Sequence, residues 1–178
     1  MSRRLASLLV GLTAVLSACT MPDDQYDYIV GNGVTMTASS LDAKVGEAVT
    51  LTFTGSLELD EKSRVPERAV SDVSIGMCFT HGLTTEEVWI DPRGFCEGEV
   101  GSLPPSYRLL NGTDYYKKFD NVVIPRGEKR EFTHSFTFTL DEADELVLVP
   151  FLVYTDEPFP GPTHSSIIGG DWPTLTFK

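Results

Sequence analysis

The chain has 178 residues, with 14 Lys and Arg against 26 Asp and Glu, a formal net charge of −12. So acidic a surface repels nucleic-acid phosphates and anionic lipid heads, which disfavours DNA or RNA binding. The length suits one domain able to bury a substantial core.

At the N-terminus Arg3 and Arg4 precede an apolar run from Leu5 to Val15, and Leu16-Ser17-Ala18-Cys19 follows. A positive start, an apolar stretch and small residues before a cysteine are the layout of a secretory signal. The run is shorter than the about 20 residues that a bilayer span needs. Leu16-Ser17-Ala18-Cys19 resembles the lipobox of bacterial lipoproteins, a Leu, two small residues and a Cys that becomes lipid-modified and N-terminal. The resemblance covers the signal region only. It implies that residues 1–18 are a signal peptide, that Cys19 is the first mature residue, and that palmitate-type acyl chains on Cys19 anchor the protein in a membrane of the cell envelope. Thr20 stands where an Asp often marks inner-membrane retention in Gram-negative lipoproteins, so the resemblance implies an outer-membrane location, facing periplasm or surface, in such an organism. Loss of Arg3 and Arg4 takes the net charge to −14, leaving attachment to the lipid rather than to a basic patch.

Cys78 and Cys96 are then left to form a single disulfide in an oxidising compartment. A loop of that length stabilises a fold by roughly 3 kcal/mol in the chain-entropy picture. The competing reading is a metal site completed by His81, which lacks the four close-spaced ligands of structural zinc. No metal and no cofactor are expected. Residues 19–31, polar and broken by Pro22 and Gly31, read as a lipidated tether, and residues 32–178 as the folded domain.

From Val34 onward the hydrophobic period is two, without convincing helical spacing. Val49, Leu51 and Phe53 alternate with threonines between Gly46 and Gly55, which punctuate a strand with one dry face. Val73, Ile75, Met77 and Phe79 share a second such face, and Cys78 points away from it. Glu131 to Leu140 places Phe132, His134, Phe136, Phe138 and Leu140 on one side, with Thr133, Ser135, Thr137 and Thr139 on the other. Glu145 to Thr155 is apolar from Leu146 through Tyr154, as a central strand covered on both faces would be, and Pro150 predicts a bulge or edge segment within it. The acidic segment Asp141 to Glu145 lacks the length and the glycine of a calcium loop. Placed before a buried strand, it is similar to a corner of immunoglobulin-like domains, with Leu146 where that family often has tyrosine. These elements predict an all-β chain, an immunoglobulin-like antiparallel β-sandwich of about seven to nine strands.

Asn111-Gly112, between Leu109-Leu110 and Tyr115-Tyr116, predicts a tight hairpin. The match of Asn111-Gly112-Thr113 to a glycosylation acceptor is accidental beside a bacterial-type anchor. Trp89, Tyr107, Tyr115 and Tyr116 are rings of the kind favoured at interfaces, and they form the candidate partner surface, with core packing as the alternative. Asp156 to Pro173 reads as a long loop before a closing strand in which Leu175 and Phe177 share a face. No HExxH, GxSxG, phosphate loop or dinucleotide fingerprint occurs. His134 reads as a hydrogen-bonded core histidine, and His81 and His164 as loop residues. The expectation is a non-enzymatic binding or structural module of the cell envelope, with an envelope protein or a glycan as partner. The alternative is an envelope hydrolase with a loop-borne site, for example around His164, Ser165 or Ser166, on a sandwich scaffold.

Overall fold

The computed structural model describes residues 29–80, 104–112, 115–156, 163–168 and 172–178. Residues 1–28, with Cys19, and His81, Trp89 and Cys96 therefore lie outside the described residues. The described chain is all β, as expected, with eleven strands: β1 (Ile29–Ala38), β2 (Asp42–Ala43), β3 (Val49–Leu59), β4 (Glu67–Thr80), β5 (Tyr107–Asn111), β6 (Tyr116–Phe119), β7 (Val122–Pro125), β8 (Lys129–Leu140), β9 (Asp144–Asp156), β10 (Thr163–Ile168) and β11 (Thr174–Phe177). The excess over seven to nine comes from short strands, β2 and β10 among them, formed by segments whose sequences carry no period of their own.

The strands form two sheets. One runs β1-β3-β8-β5; the other runs β2-β11-β9-β4-β6, with β10 also on β9 and β7 also on β4. All pairings are antiparallel except β2 with β11. Alternation fixes the core between the sheets. Val49, Leu51, Phe53, Phe132, Phe136, Phe138 and Leu140 meet Val73, Ile75, Met77, Leu146, Leu148, Leu152, Leu175 and Phe177, all fully or almost fully buried. A slip of one residue in any of these ladders would turn that strand's apolar set to solvent, so this pattern sets the register.

β9 is central, between β11 and β4, and is apolar on both faces as its sequence predicts. Leu146, Leu148, Leu152 and Tyr154 enter the main core. Val149 and Phe151 face the other way and form a second buried cluster with Cys78, flanked by Tyr116, Val147, Val153 and Trp172.

Four local expectations need correction. Gly55 does not end its strand: β3 runs on to Leu59, and Gly55 lies opposite a bulge in β1 between Asn32 and Val34, where a Cβ would meet the Gly33 carbonyl and Leu152, each at 3.3 Å. Pro150 breaks no ladder with β4, since Met77 pairs with it in continuous register. It falls instead in the 148–150 interval, where the opposite edge of β9 passes from β11 to β10, so its missing N–H falls where neither strand is in register. The β4–β9 bulge lies between Ser71 and Ser74, with Asp72 in the left-handed region at φ 51°. This shift of phase lets Val70 and Val73 both reach the core.

Asn111-Gly112 makes no hairpin. β5 pairs with β8 in the four-stranded sheet and β6 with β4 in the other, so the chain crosses between sheets there. Gly112 is required by contact rather than by a tight turn: at φ 110° it lies against β8, and a Cβ would come within 2.7 Å of Phe136 Cβ. The stretch read as one long loop, Asp156 to Pro173, contains β10, which continues a ladder along β9 from Asp156 to Phe151 and places His164 in a strand.

Candidate functional site

The fold has two chemically different ends. At one, Ile29 pairs with Leu59, Lys129 with Glu58, and Pro125 with Glu67. At the other, Val49 pairs with Phe138, Tyr107 with Leu140, and Thr80 with Val147. Backbone hydrogen bonds close each end: Gly127 to Leu59 and Arg126 to Pro66 at the first, Gly46 to Leu140 and Val45 to Lys178 at the second.

The chain enters the sandwich at the first end through a clamp that sequence reading did not foresee. Ile29 belongs to the four-stranded sheet, yet its backbone is held by side chains of β9 in the other sheet. Its N–H donates to Asp156 Oδ2 at 3.0 Å, and its carbonyl accepts from the Tyr154 hydroxyl at 3.0 Å. Asp156 is 2% exposed, and Arg68 Nε stands 3.9 Å from its other carboxylate oxygen. Oδ2 is satisfied by the amide, while Oδ1 is buried without a hydrogen bond among the described residues, and the Arg68 charge offsets part of its desolvation. The clamp therefore fixes the entry point of the preceding chain to both sheets. β1 begins at Ile29, so Ile29, Val30 and Gly31, read from sequence as tether, are strand residues.

At the second end residue 80 leaves β4 and residue 104 returns toward β5, so the segment 81–103, which carries Trp89 and Cys96, departs from and rejoins the fold there. The turn at Asp141 and Glu142 lies at the same end, where Arg108 pairs with Asp141 at 2.8 Å and Lys178 with Asp42 at 3.0 Å. Both pairs are exposed and contribute at most about 1 kcal/mol. Among the described residues no three His, Cys, Asp or Glu side chains are gathered as a metal would require.

No known protein-family model matches the chain, and no curated protein does.

The described tyrosines of the candidate partner surface are half-buried packing residues. Tyr107 stacks on Phe138 with ring centroids 5.1 Å apart and, like Tyr115, packs against the main core. Tyr116 packs on the second cluster, its ring 5.0 Å from that of Tyr115. Tyr107 belongs to one sheet and Tyr116 to the other. Cys78 is 2% exposed and outside the main core, as its strand parity predicts. His134 is a core residue, 5% exposed, between Phe53 and Phe136 with centroids at 6.5 and 5.6 Å.

The outer face of the four-stranded sheet is lined by hydroxyls in register. Thr35, Thr54 and Thr133 form one row, and Thr37, Thr52 and Ser135 the next. Thr52 bonds Ser135 at 3.0 Å, and Thr50 bonds Thr137 at 2.8 Å. The outward threonines are legible on each strand, but their rows depend on pairing partners that sequence alone does not specify.

Proposed function

We propose that the protein is a lipid-anchored cell-envelope binding or structural module, an immunoglobulin-like sandwich held by Cys19 and presenting its far end to an envelope protein or glycan. The observation that carries this reading is the opposition of the two ends. Ten residues after Cys19 the chain is clamped at Ile29, while β4 and β5 both open toward the other end, where segment 81–103 is attached. Anchor-proximal sequence at one end and the attachment points of segment 81–103 at the other suit a module that holds a binding region away from the membrane. Replacing Cys19 with Ser should move the protein from the membrane fraction to the soluble fraction. Unchanged sedimentation with membranes would end the anchor reading.

Within the same reading Cys78 pairs with Cys96 and fastens that insertion to the outer side of the seven-stranded sheet. Two points support it: Cys78 lies outside the main core, in the second cluster, and once Cys19 is lipidated the three cysteines of the chain leave only Cys96 as an intramolecular partner. Alkylation of exported protein, followed by intact mass, should label neither cysteine before reduction and both after it. Two thiols labelled without reductant would refute the bond.

A further inference from the structure

We propose that the free edge of β1, from Val34 to Ala38, is a strand-addition site for an extended, neutral or basic segment of another protein. Backbone geometry comes first. Ser39 N–H donates to the Thr50 carbonyl at 2.9 Å, which makes Ser39 and Thr50 a hydrogen-bonded pair, and antiparallel pairs alternate. Thr37 with Thr52 and Thr35 with Thr54 therefore face β3, and the N–H and C=O groups of Val34, Met36 and Ala38 point outward. Among the described residues these outward groups have no hydrogen-bond partner. β10 comes alongside β1 but does not pair with it.

Four other edge strands carry features that discourage pairing, and this stretch carries none. β2 is two residues long. β5 is five residues long and carries Arg108, β6 carries Lys117 and Lys118 in four residues, and β7 ends in Pro125. The first half of β1 is protected too: Ile29 spends its outward groups on Asp156 and Tyr154, and the Gly33 bulge at φ 40° interrupts the ladder. Among the described residues Val34-Thr35-Met36-Thr37-Ala38 is then a regular edge without charge or proline; β10 is a second uncharged outer strand, and it lies beside β1.

The occupant follows from chemistry. Alternating donors and acceptors at strand spacing are satisfied by another extended backbone. A chain of net charge −12 repels an acidic segment. A second copy is disfavoured by the same charge. On the anchor reading, on which this last step alone rests, antiparallel pairing of two β1 strands would also point the two tethers in opposite directions.

The test uses the soluble domain and two synthetic seven-residue peptides of alternating Val and Thr, one with Lys at each end and one with Glu. The expected result with the Lys peptide is at least tenfold slower amide exchange at Val34, Met36 and Ala38, with Thr35 and Thr37 unchanged because β3 already holds them. Met36→Pro removes an outward N–H at a position where an edge strand tolerates proline, together with a half-buried side chain that packs on the core, so the protection should be lost in Met36→Pro and kept in the control Met36→Ala, and its loss in both would overturn the proposal. No protection at millimolar Lys peptide, equal protection by the Glu peptide, or a sedimenting dimer whose three outward amides are protected without peptide would each overturn the proposal. None of these readouts depends on Cys19, so failure here and failure of the anchor reading are separate results.

Discussion

Phe136→Ala should cost about 3–5 kcal/mol, as truncation of a fully buried aromatic does. A domain's whole stability is about 5–15 kcal/mol, so the variant should unfold at a much lower urea concentration. Phe136 is 1% exposed at the middle of a run of rings. Phe53 lies 5.9 Å from it, His134 5.6 Å and Phe138 5.8 Å between centroids. Phe138 continues the run to Tyr107 at 5.1 Å and across the sandwich to Phe177 at 6.0 Å. Removing the ring takes a contact from each neighbour and also undercuts Gly112, whose backbone lies against Phe136. The cavity cannot close easily, because β8, which carries Phe136, is held to β3 in register over ten pairs. The neighbouring outward change Thr137→Ala removes one hydroxyl contact to Thr50 and should cost about 1 kcal/mol or less. Similar losses for the two variants would mean that the aromatic run is not the centre of the core.

Where alternation is uninterrupted, the sequence was sufficient to read the fold. The faces of β3, β8 and β11 and the two-sided burial of β9 follow from period two, because burial of one face leaves no freedom of register. The failures share one cause. Gly55, Gly112 and Pro150 are each ambiguous locally, and what each does depends on the strand laid against it. Asn111-Gly112 has the composition of a tight turn, but β8 and β4 compete for the segments on either side and draw β5 and β6 into different sheets. The clamp on Ile29 was illegible for the same reason, since its partners, Tyr154 and Asp156, are more than 120 residues away in sequence. The edge of β1 could be read as uncharged, but not as an edge, until pairing was known.

Gly76→Ala should destabilise the domain by about 3 kcal/mol, the upper part of the usual range for overpacking, because what it strikes is main chain. A Cβ at Gly76 would stand 2.5 Å from Tyr116 Cα and 2.6 Å from its Cβ, and closer still to the Tyr115 carbonyl oxygen. Neither peptide can swing aside as a long side chain could. The Tyr115 carbonyl is also the acceptor for Met77 N–H at 3.0 Å, so moving it breaks a bond of the adjacent residue. The strain therefore falls on β6 as a unit. Lifting β6 from β4 would undo the pairs from Tyr116 to Phe119, draw Tyr116 off the cluster around Cys78, and pull Phe119 from its edge contact with Phe132, 5.1 Å away in the opposite sheet. Gly46→Ala is the control: Gly46 has φ 81° but nothing within 4 Å of a Cβ, so it should lose only the roughly 1–2 kcal/mol of left-handed strain. Urea unfolding of both variants, with amide exchange along β6, separates the cases. Faster exchange at residues 116–119 in Gly76→Ala, with β8 still protected in its centre, is the expected pattern, and a variant as stable as the parent with β6 still protected would show that β6 can slide without cost.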